Sequence, residues 1–134
     1  MADARRQLTT EQLRRRVCGA VSGEGATAHG RLLRPDTVKI VFGEQVRGSD
    51  LVNGLHLRWG IGYALPHRRT LPWIPDGRIA FWGGWGGSMV VMDLDRRMTI
   101  SYVMNSMGPD ILGSPRAAAY VTAVYKALGI DTSS

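Results

Sequence analysis

Apolar residues recur one helical turn apart near the start of the chain. Leu13, Val17 and Val21 follow this spacing until the segment SGEG interrupts it. Thr9 followed by Gln12 fits a capping box, which is typical of a helix N-terminus. The pattern therefore predicts a first helix that ends near residue 22.

Two further helices are indicated by their terminal residues. In RPDTVKIVFG, Pro35 suits a first helical turn, and we expect this short helix to end near Gly43. In SPRAAAYVTAVYKALG, Ser114 is the expected N-cap and Gly129 the C-terminal stop. One apolar stripe of this helix should pack on a sheet, formed by Ala117, Tyr120, Val121, Val124 and Leu128.

Alternating apolar positions predict strands in the middle of the chain. Residues 54–65, GLHLRWGIGYAL, place an apolar side chain at every second position from Leu55 to Tyr63 and predict one strand. A proline-rich loop follows, and then three short apolar segments, RIAFWGG, GSMVVMDL and MTISYVMN. The tight link DRR between the last two segments indicates an antiparallel meander.

These elements predict an α+β fold in which an antiparallel β-meander packs against N-terminal and C-terminal helices. A length of 134 residues with 44% hydrophobic residues is that of a single domain with one core. The 17 glycines exceed the usual share and favour a fold with many turns.

The charge of +6 comes almost entirely from arginine, of which there are fifteen against two lysines. An arginine cluster in the first sixteen residues could bind nucleic acid, but no recognition motif accompanies it, so we expect a solvated helix face. No apolar segment is long enough to span a membrane or to form a signal peptide, and Cys18 is the single cysteine. We therefore expect a cytoplasmic protein with no membrane partner, in which Cys18 is a small core residue.

Residues with catalytic or metal-binding chemistry are sparse. His29, His56 and His67 are far apart in sequence and lack metal-ligand spacing, so surface or loop roles are expected. Asp95 falls in the DRR turn and Asp93 at a strand end, and both are predicted to be solvated turn carboxylates rather than metal ligands. We expect neither a metal nor an organic cofactor.

The segment FWGGWGGSMVVMDLD, residues 81–95, places two tryptophans among four glycines before an apolar run. A phosphate-binding glycine loop would open into a helix, whereas this segment opens into a β-like run. Two explanations remain from the residues alone. The glycines either allow the strand to pack closely on neighbouring elements, or they leave bare backbone that forms one wall of a binding site.

A resemblance to a known family favours the second explanation, a wall of a binding site. The order GRLLRPDTV, LRWGIGYAL, FWGGWGGSMVVMDLDRRMTISYVMNSMG and SPRAAAYVTAVYKAL resembles the C-terminal region of the penicillin-recognising serine hydrolases, in particular esterases related to class C β-lactamases. The resemblance covers about residues 19–130 and is most specific over 81–108. The first eighteen residues have no counterpart in it.

The resemblance implies a partial β-lactamase/transpeptidase-like fold that contributes to a substrate groove. Trp82-Gly83-Gly84 falls at the family's lysine-threonine-glycine triplet, which esterase members often replace. These residues and Trp85 would then line the groove for a small ester or lactam, and the Trp85 backbone N–H would be one oxyanion donor.

The family's other two motifs are missing from the sequence. No serine is followed three residues later by lysine, and Tyr102 is followed by asparagine only at Asn105, one position too late for the tyrosine-x-asparagine motif. The chain thus resembles the C-terminal portion of a larger hydrolase domain, and we expect no catalytic residue in it and little activity alone. If it does turn over esters, Ser22 or Ser88 would be the first nucleophile to test.

Two other functions stay open. A noncatalytic module could pair through an open sheet edge, with another copy or with a separate N-terminal half. A nucleic-acid binder would use Arg14, Arg15 and Arg16, and its binding would fall steeply with salt.

Overall fold

The computed structural model describes residues 10–132, and the side chains of residues 16–132. Three α-helices lie in this range: α1 is Thr10–Ser22, α2 is Pro35–Phe42 and α3 is Pro115–Ala127. All three predicted helices are confirmed, and the Ser114 hydroxyl caps α3 by accepting a 3.1 Å hydrogen bond from the Ala117 N–H. The capping-box residue Thr9 and the side chains of Gln12, Leu13, Arg14 and Arg15 lie outside what the structure describes.

Eight strands are formed by the described residues. A two-residue hairpin pairs β1, Ala26–Thr27, with β2, Gly30–Arg31. The main sheet has six strands, which are β3 Val46–Ser49, β4 His56–Trp59, β5 Ala64–Leu65, β6 Ile79–Gly83, β7 Met89–Asp93 and β8 Met98–Tyr102. Its order is β3-β4-β5-β6-β7-β8, and every neighbouring pair is antiparallel.

The sheet carries helices on both faces because its strands alternate two apolar sets. Alternate residues such as Phe81 and Val91 form one core with Val121 and Tyr125 of α3. Residues one position away, including Ala80 and Met92, form a second core with α1 and α2. The architecture is the predicted α+β class, a meander packed against N-terminal and C-terminal helices. Cys18, expected as a small core residue, is only half-buried and packs against the margin of the second core.

The apolar stripe of α3 differs in part from its prediction. Ala117 and Val121 are fully buried as expected, but Tyr120 is 45% exposed and Leu128 is 54% exposed. Tyr120 lies about 100° around the helix from Val121, and Leu128 follows the last helical residue. Tyr125, which is not part of the predicted stripe, is completely buried one turn after Val121.

The single strand predicted over residues 54–65 is wrong, because the chain reverses within it. β4 ends at Trp59 and β5 begins at Ala64, and the Gly60 N–H donates to the Tyr63 carbonyl at 3.0 Å across the turn. A Cβ on Gly60 would collide with the carbonyl oxygen of Val41. Gly62 adopts a φ of +78°, which favours glycine. The two glycines therefore permit a turn that the apolar alternation concealed.

The prediction for Asp93 is also wrong. Asp95 is an exposed turn residue, but the Asp93 side chain is completely buried and accepts hydrogen bonds from Arg96 and Tyr125. Because its partner on α3 is far away in sequence, nothing local marks it as a core residue. No helix among residues 10–132 is both long and apolar enough to cross a membrane.

Candidate functional site

The glycine-tryptophan segment forms the connection between β6 and β7. Two hydrogen bonds close this turn: Gly84 N–H to the Ser88 carbonyl at 2.9 Å, and Gly87 N–H to the Gly84 carbonyl at 3.1 Å. Gly86 and Gly87 have φ values of +98° and +106°, in the region where side chains are rarely tolerated. The sequence GGWGGS therefore folds as a tight reversal that only glycine permits at Gly86 and Gly87.

The loop before α3 holds this turn in place. The Gly86 N–H donates to the Asp110 carbonyl at 2.9 Å, and the Gly108 N–H donates back to the Gly86 carbonyl at 3.0 Å. The Ser114 hydroxyl donates a 3.4 Å hydrogen bond to the Gly87 carbonyl. The turn is thus anchored to the start of α3, so its backbone groups have fixed positions.

Gly83 and Gly84 differ in what surrounds them. A Cβ on Gly83 would lie 3.1 Å from Leu112 Cδ1 and 3.3 Å from the Ile111 carbonyl oxygen, so packing against the chain itself accounts for glycine there. A Cβ on Gly84 would have no atom within 4 Å. Close packing therefore accounts for glycine at position 83, whereas the space beside Gly84 is open.

The two tryptophans of the segment have different environments. Trp82 is half-buried and its ring lies 4.9 Å from the ring of Trp59, centroid to centroid, at an interplanar angle of 43°. Trp85 is 67% exposed. Within the described part of the chain, the Trp85 backbone N–H donates to no acceptor. The turn therefore presents one unused backbone donor at its exposed position.

Trp59, Met104 and Met107 adjoin the segment and were not singled out from the sequence. Met107 is 69% exposed, and Met104 and Met107 cover the bare Cα of Gly86. Apolar side chains thus surround the Trp85 turn on the side of the loop that follows β8. The sequence pattern places Trp59 in an unbroken strand, and it is the β4–β5 turn that brings Trp59 beside Trp82.

The two serines that could act as nucleophiles are buried and have other partners. The Ser22 hydroxyl is 2.7 Å from the Thr99 hydroxyl, and Ser22 is 2% exposed. The Ser88 hydroxyl donates to the Met104 sulfur at 3.2 Å, and Ser88 is 4% exposed. Neither hydroxyl is in hydrogen-bond contact with a basic side chain, which nucleophilic catalysis by serine requires.

Two of the three histidines lie close together, although their separation in the sequence had suggested otherwise. His56 and His67 bring their rings to 4.9 Å, centroid to centroid, at a place separate from the Trp85 turn. Across residues 10–132 no group of three or more histidine, cysteine or acidic side chains is arranged to hold a metal ion.

Comparison with known proteins agrees with this architecture. The solved structures similar to the chain include a family VIII carboxylesterase, with a TM-score of 0.73 and 28% identity, and a penicillin-binding protein homolog from Caulobacter crescentus, with a TM-score of 0.75 and 30% identity. They match 82% and 83% of this chain, which itself spans only 29% and 30% of their lengths. No curated protein gives a significant match.

The family model described as Beta-lactamase matches residues 4–123. This range includes most of the first eighteen residues, for which the sequence resemblance had offered no counterpart. The match covers nearly the whole chain, and the solved structures share its fold. The chain therefore belongs to the β-lactamase family of serine hydrolase-like proteins.

Proposed function

We propose that the chain supplies the substrate-groove strand and one oxyanion donor of a serine hydrolase that acts on small esters or lactams. The observation that carries this proposal is the unused N–H of Trp85, held in an anchored turn directly after β6. Fixed backbone donors are the usual means of stabilising the oxyanion of an acyl-transfer reaction. Trp82, Gly83, Gly84 and Trp85 form the wall, with Gly84 presenting bare backbone.

The reaction would proceed through a serine acyl-enzyme. The general base takes the proton of the serine hydroxyl as its oxygen attacks the substrate carbonyl, and the negative charge that develops on the carbonyl oxygen is stabilised by the Trp85 N–H. The alcohol or amine then leaves with a proton from the general base, and water releases the acyl group in the reverse sequence. The open space around Gly84 allows the substrate to approach the strand backbone closely.

The serine and its base lie on residues that this sequence does not contain, in a longer chain or in a partner. The sequence has no serine with a lysine three positions later and no tyrosine two positions before an asparagine. The limited share of the similar structures that the chain covers is consistent with this proposal. The chain alone is then expected to be inactive.

The edge strand β8 offers a place for the missing part to attach. Among the described strands, β8 pairs only with β7, so its other edge has backbone groups available for a further strand. Pairing along this edge would place the added residues beside the sheet that carries the Trp85 turn. The same edge would serve the alternative function, a noncatalytic module that pairs with a second copy.

The test combines an ester assay with active-site labelling. The purified chain should neither hydrolyse a short-chain p-nitrophenyl ester nor react with a fluorophosphonate. When it is mixed with the serine-bearing part of a β-lactamase-family esterase, hydrolysis should rise above that of either part alone, with the label on the added serine. A labelled serine within residues 1–134, located by peptide mapping, would refute the proposal.

A further inference from the structure

A depression lies at the other end of the sheet from the Trp85 turn. Its volume is about 370 Å³, and it is lined by Gly54, Leu55, His56, Arg69 and Thr70. Trp59 of β4 pairs with Ala64 of β5, and Ala64 pairs with Phe81 of β6, so Trp59 and Phe81 lie at the same height in the sheet. Strands β4 and β6 run in the same direction, since each is antiparallel to β5. His56, three residues before Trp59, is therefore level with the start of β6, roughly 16 Å along the strands from Gly83. The depression is thus separate from the candidate groove.

Two imidazoles meet beside this depression. The rings of His56 and His67 are 4.9 Å apart, centroid to centroid, and tilted by 52°. The Nδ1 atom of His67 is buried and has no hydrogen-bond partner among the described residues. A buried polar atom without a partner is costly, and such atoms often mark a site that a ligand, ion or water completes.

The loop that carries His67 is fixed by several hydrogen bonds. The backbone N–H groups of Thr70 and Leu71 both donate to the His67 carbonyl at 3.0 Å. The Thr70 hydroxyl donates to the His56 carbonyl, which ties the loop to β4. The positions of His67 and Arg69 relative to His56 are therefore set by the backbone.

Positive charge surrounds the two imidazoles. Burial lowers the pKa of the His67 imidazole, and the nearby His56, Arg47, Arg58 and Arg69 lower this pKa further. Arg47 extends from β3, Arg58 from β4 and Arg69 from the loop after β5. Protonated His67 is thus disfavoured by three guanidinium groups as well as by burial.

The nearby carboxylates leave this charge partly uncompensated. Glu44 bridges Arg47 and Arg58, with N···O distances of 2.8 and 2.6 Å. The Asp50 carboxylate accepts hydrogen bonds from the N–H groups of Val52 and Asn53 in its own turn. Across residues 16–132, Arg69 forms no ion pair. Its guanidinium therefore remains available at the depression.

We propose that this depression, which we call the His–Arg pocket, binds a small oxyanion through Arg69 and the His56–His67 pair. A guanidinium hydrogen-bonds oxyanions strongly and in a planar geometry. A bound anion offsets the repulsion that lowers the pKa of the His67 imidazole, so binding brings a proton onto His67. Affinity then rises as the pH falls. The surrounding arginines oppose binding of a divalent cation at the same place.

The first experiment follows the histidine ring resonances of the whole chain by NMR during titration with sulfate. Sulfate keeps its charge across neutral pH, so any pH dependence of its affinity comes from the protein. We expect saturable shifts at His56 and His67 but not at His29, and an affinity about tenfold higher near pH 6 than near pH 8. Parallel titrations with phosphate and acetate determine whether the pocket prefers a tetrahedral anion or a carboxylate.

Two matched variants assign the binding. Arg69→Gln should weaken sulfate binding by about tenfold or more, because it removes a charge-assisted hydrogen bond. Arg68→Gln changes the same charge one residue away, where the guanidinium is 3.0 Å from Asp76, and should alter the affinity by less than about twofold. His67→Gln should remove most of the pH dependence.

Three results would overturn the proposal. The first is the absence of saturable shifts at His56 and His67 in the unmodified chain, a measurement that needs no variant to fold. The second is equal weakening of sulfate binding by Arg68→Gln and Arg69→Gln. The third is saturable binding of Zn²⁺ at these histidines with none of sulfate, which would make the pair a cation site.

Discussion

The hydroxyl of Tyr125 donates a 3.1 Å hydrogen bond to the carboxylate of Asp93, and both side chains are completely buried. Burial raises the pKa of the Tyr125 hydroxyl, and the Asp93 carboxylate raises it further, so the hydroxyl remains a proton donor. Arg96 adds a 2.7 Å ion pair to the same carboxylate and lies over the Tyr125 ring. This contact joins α3 to the β7–β8 turn.

Removing this carboxylate should destabilise the fold strongly. Asp93→Ala leaves the buried Tyr125 hydroxyl without an acceptor and Arg96 without its ion-pair partner, and should lower the free energy of unfolding by about 3 kcal/mol. Tyr125→Phe, which leaves both Arg96 contacts intact, should cost about 1 kcal/mol. Urea unfolding measures both values. Equal losses in the two variants would show that the ion pair between Arg96 and Asp93 contributes nothing.

A glycine in a tight turn and a glycine with open space around it should respond differently to substitution by alanine. Gly87 has a φ of +106°, and a Cβ there would lie 2.7 Å from Ser114 Oγ, at the N-cap of α3. Gly87→Ala should therefore lower the free energy of unfolding by about 2 kcal/mol or more. Gly48→Ala has open space on β3 and serves as the control, with an expected change of less than about 0.5 kcal/mol. Similar thermal unfolding midpoints for the two variants would contradict the close approach of Gly87 to Ser114.

The contributions of the Trp85 backbone N–H and of the Trp85 indole can be measured separately. Trp85→Pro removes the backbone N–H, whereas Trp85→Ala keeps it and removes only the indole. In the complemented hydrolase, Trp85→Pro should lower kcat by about a hundredfold or more, and Trp85→Ala should act mainly on KM. If Trp85→Ala lowers kcat as much as Trp85→Pro, the indole is the functional group and the donor assignment is wrong. Circular dichroism of both variants checks that the turn change leaves the fold intact.

Acid should weaken one link between the loop after α2 and the sheet. Hydrogen bonds from Arg47 and Arg58 lower the pKa of Glu44 from 4.5 to about 2. Because the folded-state pKa lies below the unfolded value, this contribution to stability is present above about pH 4.5 and is lost as the pH falls toward about 2. Glu44→Gln should therefore flatten the pH dependence of the unfolding midpoint in that window. Asp36→Asn is the control, since its ion pair with Lys39 is 3.9 Å long and exposed, and it should not flatten the profile.

Local patterns were sufficient to predict the helices and the β6–β8 meander. Ser114, Pro115 and Gly129 delimit α3 in the sequence, because caps and breakers act within a few residues. The turn at Gly60–Tyr63 was missed, since its two glycines lie inside a regular apolar alternation. The approach of the Val41 carbonyl, which excludes a side chain at Gly60, comes from α2 and has no local signature.

The candidate site was predictable only where a motif marked it. Trp82 to Trp85 stood out by their composition and family resemblance, but the different surroundings of Gly83 and Gly84 depend on Ile111 and Leu112. The approach of His56 to His67 depends on the chain reversal that the sequence concealed. Contacts made by tertiary packing alone were therefore those that sequence reasoning missed.

The order of the main sheet has a consequence for the folding route. Each strand from β3 to β8 pairs with its immediate neighbour in the chain, so the sheet can grow as successive hairpins with small loop-closure costs. The contact between Ser22 of α1 and Thr99 of β8 spans 77 residues, so it closes a far longer loop than any of these strand pairs. Helix α1 should therefore dock late, on a sheet that is already assembled.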